Sequence, residues 1–565
     1  MKNICLFALN SSYVHTNPAI RGIRRAIAAA FPSAGVTLIE RTINDKPETL
    51  IRLLYESGCR IFGFSVYIWN KAEMMSCASA IKLLIPDAFI FFGGPEMCGQ
   101  KEAGLPVMKE CPAVGAVVEG EGEISVCTLL NDLFKGKADT WYFTPDSSDA
   151  FDGSCVYNPE EDLSGRIVYY ESSRGCPFSC SFCLSSVKNG NKSVRAVDPE
   201  KVMNEIRPLK NRGIRVLKFI DRTFNFDKKR AARLADAIIK ENFDFPVQFE
   251  FCARLVDDEM LSVLSEVPPG KIQLEAGLQS ADPEVLSAVG RFPDANTEAE
   301  AIYRLSEIKN IHLHCDLIAG LPMETYASFR MAFDLLYGHC DMLQLGFLKL
   351  LPGTPLRTQA EKFGIKYRSD PPYTVLETAS MSFNELCALR GIETLVSRYG
   401  SGTTSEIIKG ISENSSAFDF YEGFYRFLIS RTPEADSLSG GVSTRRAFSE
   451  LRDYLIFYGV DEEKLRPVLR LAFLLTDTGA LPDFLLPEEN EKLTKEEAGR
   501  YRALIPEERN AYLYIGKFGS SCAAVFRLQK TVRVYNEKES VFNSEMSINN
   551  PDIQNLFTIN INIVH

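Results

Sequence analysis

The strongest constraint on the fold is an alternation in which short apolar runs of strand length are separated, repeatedly, by amphipathic stretches of helix length. From Lys2 to about Phe134 the runs ICLFALN, VTLIERT, RIFGFSVY, AFIFFGG and AVGAVVEG read as strands with helical segments between them. Five βα units predict an α/β domain built on a doubly wound parallel sheet. The first strand-to-helix turn is well marked: Asn17 suits an N-cap and Pro18 the first helical position, ahead of IRGIRRAIAAAF. In open sheets of this kind ligands bind beyond the carboxyl ends of the strands, which here are residues 11–17, 65–70, 93–96 and 119–123. Residues 135–165 then lose periodicity and gain Asp, Ser, Gly and Pro, as a linker does. A second series follows, with strands RIVYYES, VLKFID, VQFEFCA, IQLEAGL, HLHCDLIAG and MLQLGFLKL. Six units suffice for a curved partial barrel and are too few for an eight-unit one. After about Thr358 the pattern is mostly helical, and 512–535 reads as strands again. The expected organisation is therefore 1–134, a linker at 135–165, a partial barrel at 166–358 and a mainly helical domain with a strand-like end at 359–565. No internal repeat is evident, and Asn549 to His565 carries no assigned role.

Charge and cysteine usage narrow the class. The 565 residues hold 63 Lys and Arg against 74 Asp and Glu, a net charge of −11, so duplex DNA is not an expected partner. The apolar run from Ile4 to Leu9 is too short for a signal-peptide core, and no run reaches the roughly 18 apolar residues of a membrane span. Fifteen cysteines without an export signal point to a reducing cytoplasm, where thiols serve as core residues or metal ligands.

Three of those cysteines are grouped. SSRGCPFSCSFCLSS, at the end of the second series' first strand, sets Cys176, Cys180 and Cys183 in a CxxxCxxC spacing. Three thiolates in so short a loop face one metal centre. A structural zinc needs a fourth ligand, and none stands at zinc spacing, the next cysteine downstream being Cys252. Three thiolates suit a [4Fe-4S] cluster in which one iron lacks a protein ligand and stays open to a small molecule.

The loop, with Phe182 just before its third cysteine, resembles that of the radical S-adenosylmethionine (radical SAM) superfamily, whose cluster follows the first strand of a partial (β/α)6 barrel. The resemblance implies that the open iron chelates SAM, and that reduction cleaves the sulfonium to give a 5′-deoxyadenosyl radical. It also implies SAM contacts at the other strand ends. These are Asp221 and Arg222 in FIDRTFN, standing where a GGE-like form is usual, Glu250 and Arg254 in FEFCARL, Glu275 and Gln279 in LEAGLQS, and Ile318 and Gly320 in DLIAGLPMET. A structural ion-pair network is the alternative for each charged residue.

A doubly wound domain ahead of such a barrel, with GGPE at 93–96 and VVEGEGE at 117–123, resembles the cobalamin-binding domain of B12-dependent radical SAM proteins. Cobalamin contacts are then implied at Ser65, Gly93, Gly94, Glu119 and Gly120, where glycines let backbone approach a bulky ligand. His15, Thr16 and Asn17 stand where many cobalamin domains carry DxHxxG, without its Asp and Gly; His15 is a lower ligand, a pocket residue or part of the helix start. The first turn has no GxGxxG, which disfavours a nicotinamide. His312 and His314 share one face of a strand and read as structural rather than as a second metal site. Trp69 lines either a cofactor cleft or a core, and Pro352 to Pro355 is a turn that either roofs the active site or only reverses the chain. The resemblance covers residues 1 to about 380 and, with the helical C-terminal domain, points to a subgroup of B12-binding radical SAM proteins.

The implied activity is methylation of an unactivated carbon, with SAM, cobalamin and the cluster as cofactors and flavodoxin or ferredoxin as the kind of electron donor. B12-dependent rearrangement or cyclisation is an alternative, and RNA modification another. For the last, Lys517, Arg527, Lys530 and Arg533 offer a local basic surface, against the plainer reading of a solvated sheet. The substrate, small or macromolecular, is not legible.

Overall fold

In the computed structural model the described residues are 3–144, 151–186, 194–412, 415–431, 441–476 and 480–486, with the backbone of the strands at 512–518, 521–528, 531–536 and 541–542. Lys530 and the segment from Asn549 to His565 lie outside them. The chain divides into two compact units, residues 1–341 with 345–386, and 342–344 with 387–565.

The first sheet contains β1 (Asn3–Asn10), β2 (Gly35–Thr42), β3 (Ile61–Ser65), β4 (Phe89–Gly93), β5 (Ala116–Gly120) and β6 (Trp141–Thr144), in the order β2-β1-β3-β4-β5-β6. All five pairings are parallel. Apolar cores cover both faces, one including Phe7, Phe62, Phe64 and Phe92 and the other Leu6, Ile20, Ile27 and Leu129, as near-continuous apolar strands require. Asn17 caps the helix Pro18–Ala30, its Oδ1 accepting the Ile20 N–H at 3.1 Å. The order reverses at β1, so the crevice beyond the carboxyl ends of β1 and β3 is the place for a ligand. The sixth strand falls inside the stretch expected to be linker. It is only four residues long and follows the polar KGKADT, which hides its period, yet its pairing of Val117 with Trp141 and Gly120 with Thr144 extends the sheet.

The second sheet runs in chain order: β7 (Ile167–Tyr170), β10 (Val216–Phe219), β11 (Val247–Phe251), β12 (Ile272–Gln279), β13 (His312–Ala319) and β14 (Met342–Phe347). Between the first two of these lies an antiparallel ribbon of β8 (Ser173–Arg174) and β9 (Arg195–Ala196). Burial alternates strictly along β11, β12 and β13. Val247, Leu274 and Leu317 point outward to the helices, whereas Glu250, Glu275, His314 and Asp316 share the inner face, the arrangement of a partial barrel with a polar lumen.

Two turns tie the halves of this unit together. Gly99 and Gly353 meet backbone to backbone: a Cβ on Gly99 would lie 2.9 Å from the Gly353 Cα, and one on Gly353 would lie 2.8 Å from the Cys98 sulfur. The turn from Pro352 to Pro355 thus abuts the first domain. Tyr373 donates to the buried Glu96, which Lys71 also approaches at 3.5 Å. In the second unit, helices Gly402–Ser412, Ala417–Arg431, Thr444–Phe457 and Glu462–Thr476 pack around an aromatic centre in which Phe424 stacks on Tyr454 at 4.5 Å. The strands at 512–518, 521–528, 531–536 and 541–542 form an antiparallel sheet. Among the described residues no helix is long and apolar enough to cross a membrane.

Candidate functional site

The cysteine loop is built outward from a buried carboxylate. Asp221, fully buried at the end of β10, accepts the Ser172 N–H at 2.7 Å, the Ser172 hydroxyl at 2.5 Å and the Ser173 hydroxyl at 2.8 Å. Arg230 donates to the Ser172 carbonyl at 3.0 Å and to the Val197 carbonyl at 3.0 Å. These bonds fix the chain just before Gly175, whose φ of 111° only glycine adopts readily. The loop is then stitched to its surroundings by Ser181 N–H to the Val289 carbonyl at 2.8 Å and Leu356 N–H to the Ser181 carbonyl at 2.9 Å. Asp221 is thereby committed to holding the loop and lies outside both cavities described next.

Cys176, Cys180 and Cys183 line a cavity of about 260 Å³ together with Phe182, Arg222, Glu250, Arg254, Glu275, Gln279 and Asp316. Among the described residues no three His, Cys, Asp or Glu side chains close on a single ion. The Cys183 sulfur accepts the Ser185 N–H at 3.4 Å, and Cys176 lies 3.5 Å from the Thr223 hydroxyl. Burial raises the Cys180 pKa, while Arg291 opposes the rise and so favours the thiolate. A further thiol, Cys252, lines the same cavity. Burial, reinforced by Glu298, pushes its pKa up to about 12, which keeps it a protonated thiol at neutral pH. Cys176, Cys180, Cys183 and Cys252 are thus the four thiols lining this cavity.

The lumen side of this cavity is acidic. Glu275 is held by Lys218 and Gln248, each at 3.0 Å. Burial raises Glu250 despite Arg222, and burial followed by Glu275 pushes Asp316 up to about 7. One Asp316 oxygen and the Gln279 side-chain oxygen are buried without a hydrogen-bond partner. Arg254 stacks its guanidinium 3.5 Å from the Phe292 ring centre. Asp316 was missed by sequence reasoning, although the strict alternation of HLHCDLIA puts it on the face of His312 and His314. Gly320 (φ 85°) lies outside the cavity lining, near Leu386 and Val375. His312 approaches Asp341 at 3.5 Å and sits edge-on to His314 at 4.6 Å, with burial lowering the His314 pKa.

A larger cavity, about 970 Å³, opens at the carboxyl ends of β3, β4 and β5 and is walled by Ser65, Gly93, Gly94 and Gly120. A Cβ on Gly94 would lie 2.6 Å from the Val66 carbonyl oxygen, and one on Gly120 2.4 Å from that of Thr144, so neither position tolerates a side chain. His15, Thr16, Asn17 and Glu119 are not among the lining residues. His15 Nδ1 pairs with the Tyr169 hydroxyl at 2.6 Å, and burial, then Lys218 and Arg166, lower its pKa. Thr16 donates to the Ile167 carbonyl at 2.8 Å, and Glu119 accepts from the Gly99 N–H at 2.6 Å and from the Trp141 indole. Trp69 stacks on Tyr67 at 4.3 Å and donates to the Leu9 carbonyl at 3.1 Å; Tyr67, not Trp69, faces the cavity. Glu121, Glu123, Tyr169 and Arg174 also line it, and of these Glu121, Glu123 and Arg174 stand inside motifs the sequence had already singled out. Ser185 and Arg222 border both cavities.

Residues 170–336 match the radical SAM superfamily, and residues 361–545 match a family described as a protein of unknown function (DUF4080). An uncharacterized methyltransferase of Pyrococcus horikoshii is 24% identical over 381 residues, 60% of this chain and 80% of its own length. The cobalamin-dependent radical SAM methyltransferase TokK of Streptomyces tokunonensis is 25% identical over 342 residues, 54% of this chain; the match spans only 49% of TokK. The solved structure of the radical SAM methyltransferase TsrM from Kitasatospora setae, with cobalamin and a [4Fe-4S] cluster bound, superposes with a TM-score of 0.54 at 16% identity, covering 66% of this chain and 78% of TsrM. At that identity the likeness is one of fold. Residues 170–336 thus match the radical SAM superfamily, and with the α/β domain before them they share the fold of a solved cobalamin-bound radical SAM methyltransferase.

Proposed function

We propose that this chain is a cobalamin-dependent radical SAM enzyme that methylates an unactivated carbon. The observation carrying the reading is adjacency: a cavity lined by the cysteine triplet and a glycine-walled cavity large enough for a bulky ligand are bordered by the same Ser185 and Arg222. When bound, an iron-sulfur cluster with an open iron supplies reductive cleavage of SAM, and a corrinoid supplies a methyl group. The chain's own residues would hold and orient. Cys176, Cys180 and Cys183 would furnish thiolates, Ser65, Gly93, Gly94 and Gly120 would line the corrinoid's cavity, and Arg222 would bound the space the two cavities share. Phe182 and Phe292 give the thiol-lined cavity an apolar part of its wall. The relatives named as methyltransferases support methyl transfer. An electron donor is required as partner.

Anaerobic reconstitution with iron, sulfide and hydroxocobalamin tests the reading. The expected product holds close to four irons and four sulfides per chain together with a bound corrinoid, and under strong reductant releases 5′-deoxyadenosine from SAM. Cys183→Ser is expected to lose most of the iron while Cys252→Ser keeps it. Retention of iron by the first variant and loss by the second would overturn the ligand assignment, and failure to bind any corrinoid would overturn the cobalamin dependence.

A further inference from the structure

The larger cavity is bordered by a charged clasp. β5 ends at Gly120, and the next residues, Glu121 to Glu123, line the larger cavity at the start of the helix Gly122–Phe134. Both carboxylates reach across to Arg174 of the barrel: Glu121 at 3.2 Å and Glu123 at 2.9 Å. Arg174 also holds Glu171 at 2.7 Å, and Arg195, opposite it on the ribbon, pairs with Glu121 as well. Phe151 lies 4.9 Å from the Arg174 guanidinium.

Arg174 stands two residues before Cys176, and its neighbours Ser172 and Ser173 are fixed from behind by Asp221. The guanidinium is therefore the side-chain link by which the glutamate loop of the first domain sets the start of the thiol loop. A ligand seated against residues 120–123 bears on the carboxylates that hold Arg174, and through Arg174 on the start of the thiol loop. By linkage the effect is the same in the other direction.

We propose that Arg174 is a positioning residue that makes occupancy of the two cavities cooperative, a corrinoid in the larger and an iron-sulfur cluster in the smaller each strengthening the binding of the other. The proposal rests on the functional reading above. It goes beyond that reading, which requires two sites and is silent on any coupling between them.

The test is the affinity of the full chain for hydroxocobalamin, measured by equilibrium dialysis without oxygen, before and after cluster reconstitution. Wild type is expected to bind the corrinoid about five- to tenfold more tightly once the cluster is in place. In Arg174→Gln the ratio falls to near one even if both absolute affinities drop. Arg174→Lys restores part of it, since lysine keeps the charge but not the planar fork that spans several carboxylates. A merely structural tether would weaken both affinities equally and leave the ratio unchanged, and that result overturns the proposal, as does a ratio of one in wild type. If Arg174→Gln does not fold, Glu123→Gln removes one of the carboxylates: a reduced ratio supports the coupling and an unchanged one sinks it. Failure of the functional reading looks different, because wild type would then take up no corrinoid or no iron at all, which overturns both.

Discussion

Asp316 is where a single side chain carries the most testable chemistry. Its pKa rises from 3.8 to about 7, through burial first and then the nearby Glu275 carboxylate, with Lys218 partly offsetting the rise. Between those values the folded chain keeps a proton that the unfolded chain has released, so stability falls as pH rises through that window. Asp316→Asn should flatten the dependence and exceed wild type by about 1–3 kcal/mol at pH 8, with little difference near pH 4. Urea unfolding of both proteins across that range checks it; parallel curves would remove the assignment. Legibility at this scale followed chemistry that spacing can display. The cysteine triplet was readable because three thiols within one loop have few uses. His15 and Glu119 were less so, since the sequence shows that a polar residue ends a strand but not whether it faces the ligand side or, as with Glu119, turns to satisfy the Gly99 N–H and the Trp141 indole.

Among elements, the short ribbon before the thiol loop depends on one buried acid. Replacing Asp221 by Ala leaves the Ser172 N–H and two serine hydroxyls without their acceptor, at a cost of about 2–4 kcal/mol. Chemical denaturation should show that loss, together with reduced iron uptake on reconstitution; unchanged values for both would assign the loop's support elsewhere. Five strands of the first sheet and all six of the barrel are visible as apolar runs because each is buried on at least one face, except the edge strand β2, whose apolar residues are half-buried. The sixth strand of the first sheet is not visible: Trp141 to Thr144 is short, and its partner β5 supplies the context that makes it a strand. The ribbon strands, two residues each, are set by Asp221, Arg230 and the ion pairs of Arg174 rather than by any local pattern.

On the scale of the whole molecule, the two compact units predict that heat unfolds the chain in more than one step. Hydroxocobalamin at a hundredfold excess over its Kd should stabilise the step belonging to residues 1–386 by about 2.7 kcal/mol and leave the other in place. Calorimetry with and without the corrinoid measures this, and a single transition that moves as one would contradict it. The first unit runs on past the barrel to residue 386, and within it Tyr373 donates to Glu96. The contact of Gly99 with Gly353 has a practical corollary for anyone building chimaeras. Where two main chains touch with no room for even a methyl group, neither turn can be exchanged for a bulkier homologous one by itself. A transplanted first domain has to travel with its matching post-barrel turn.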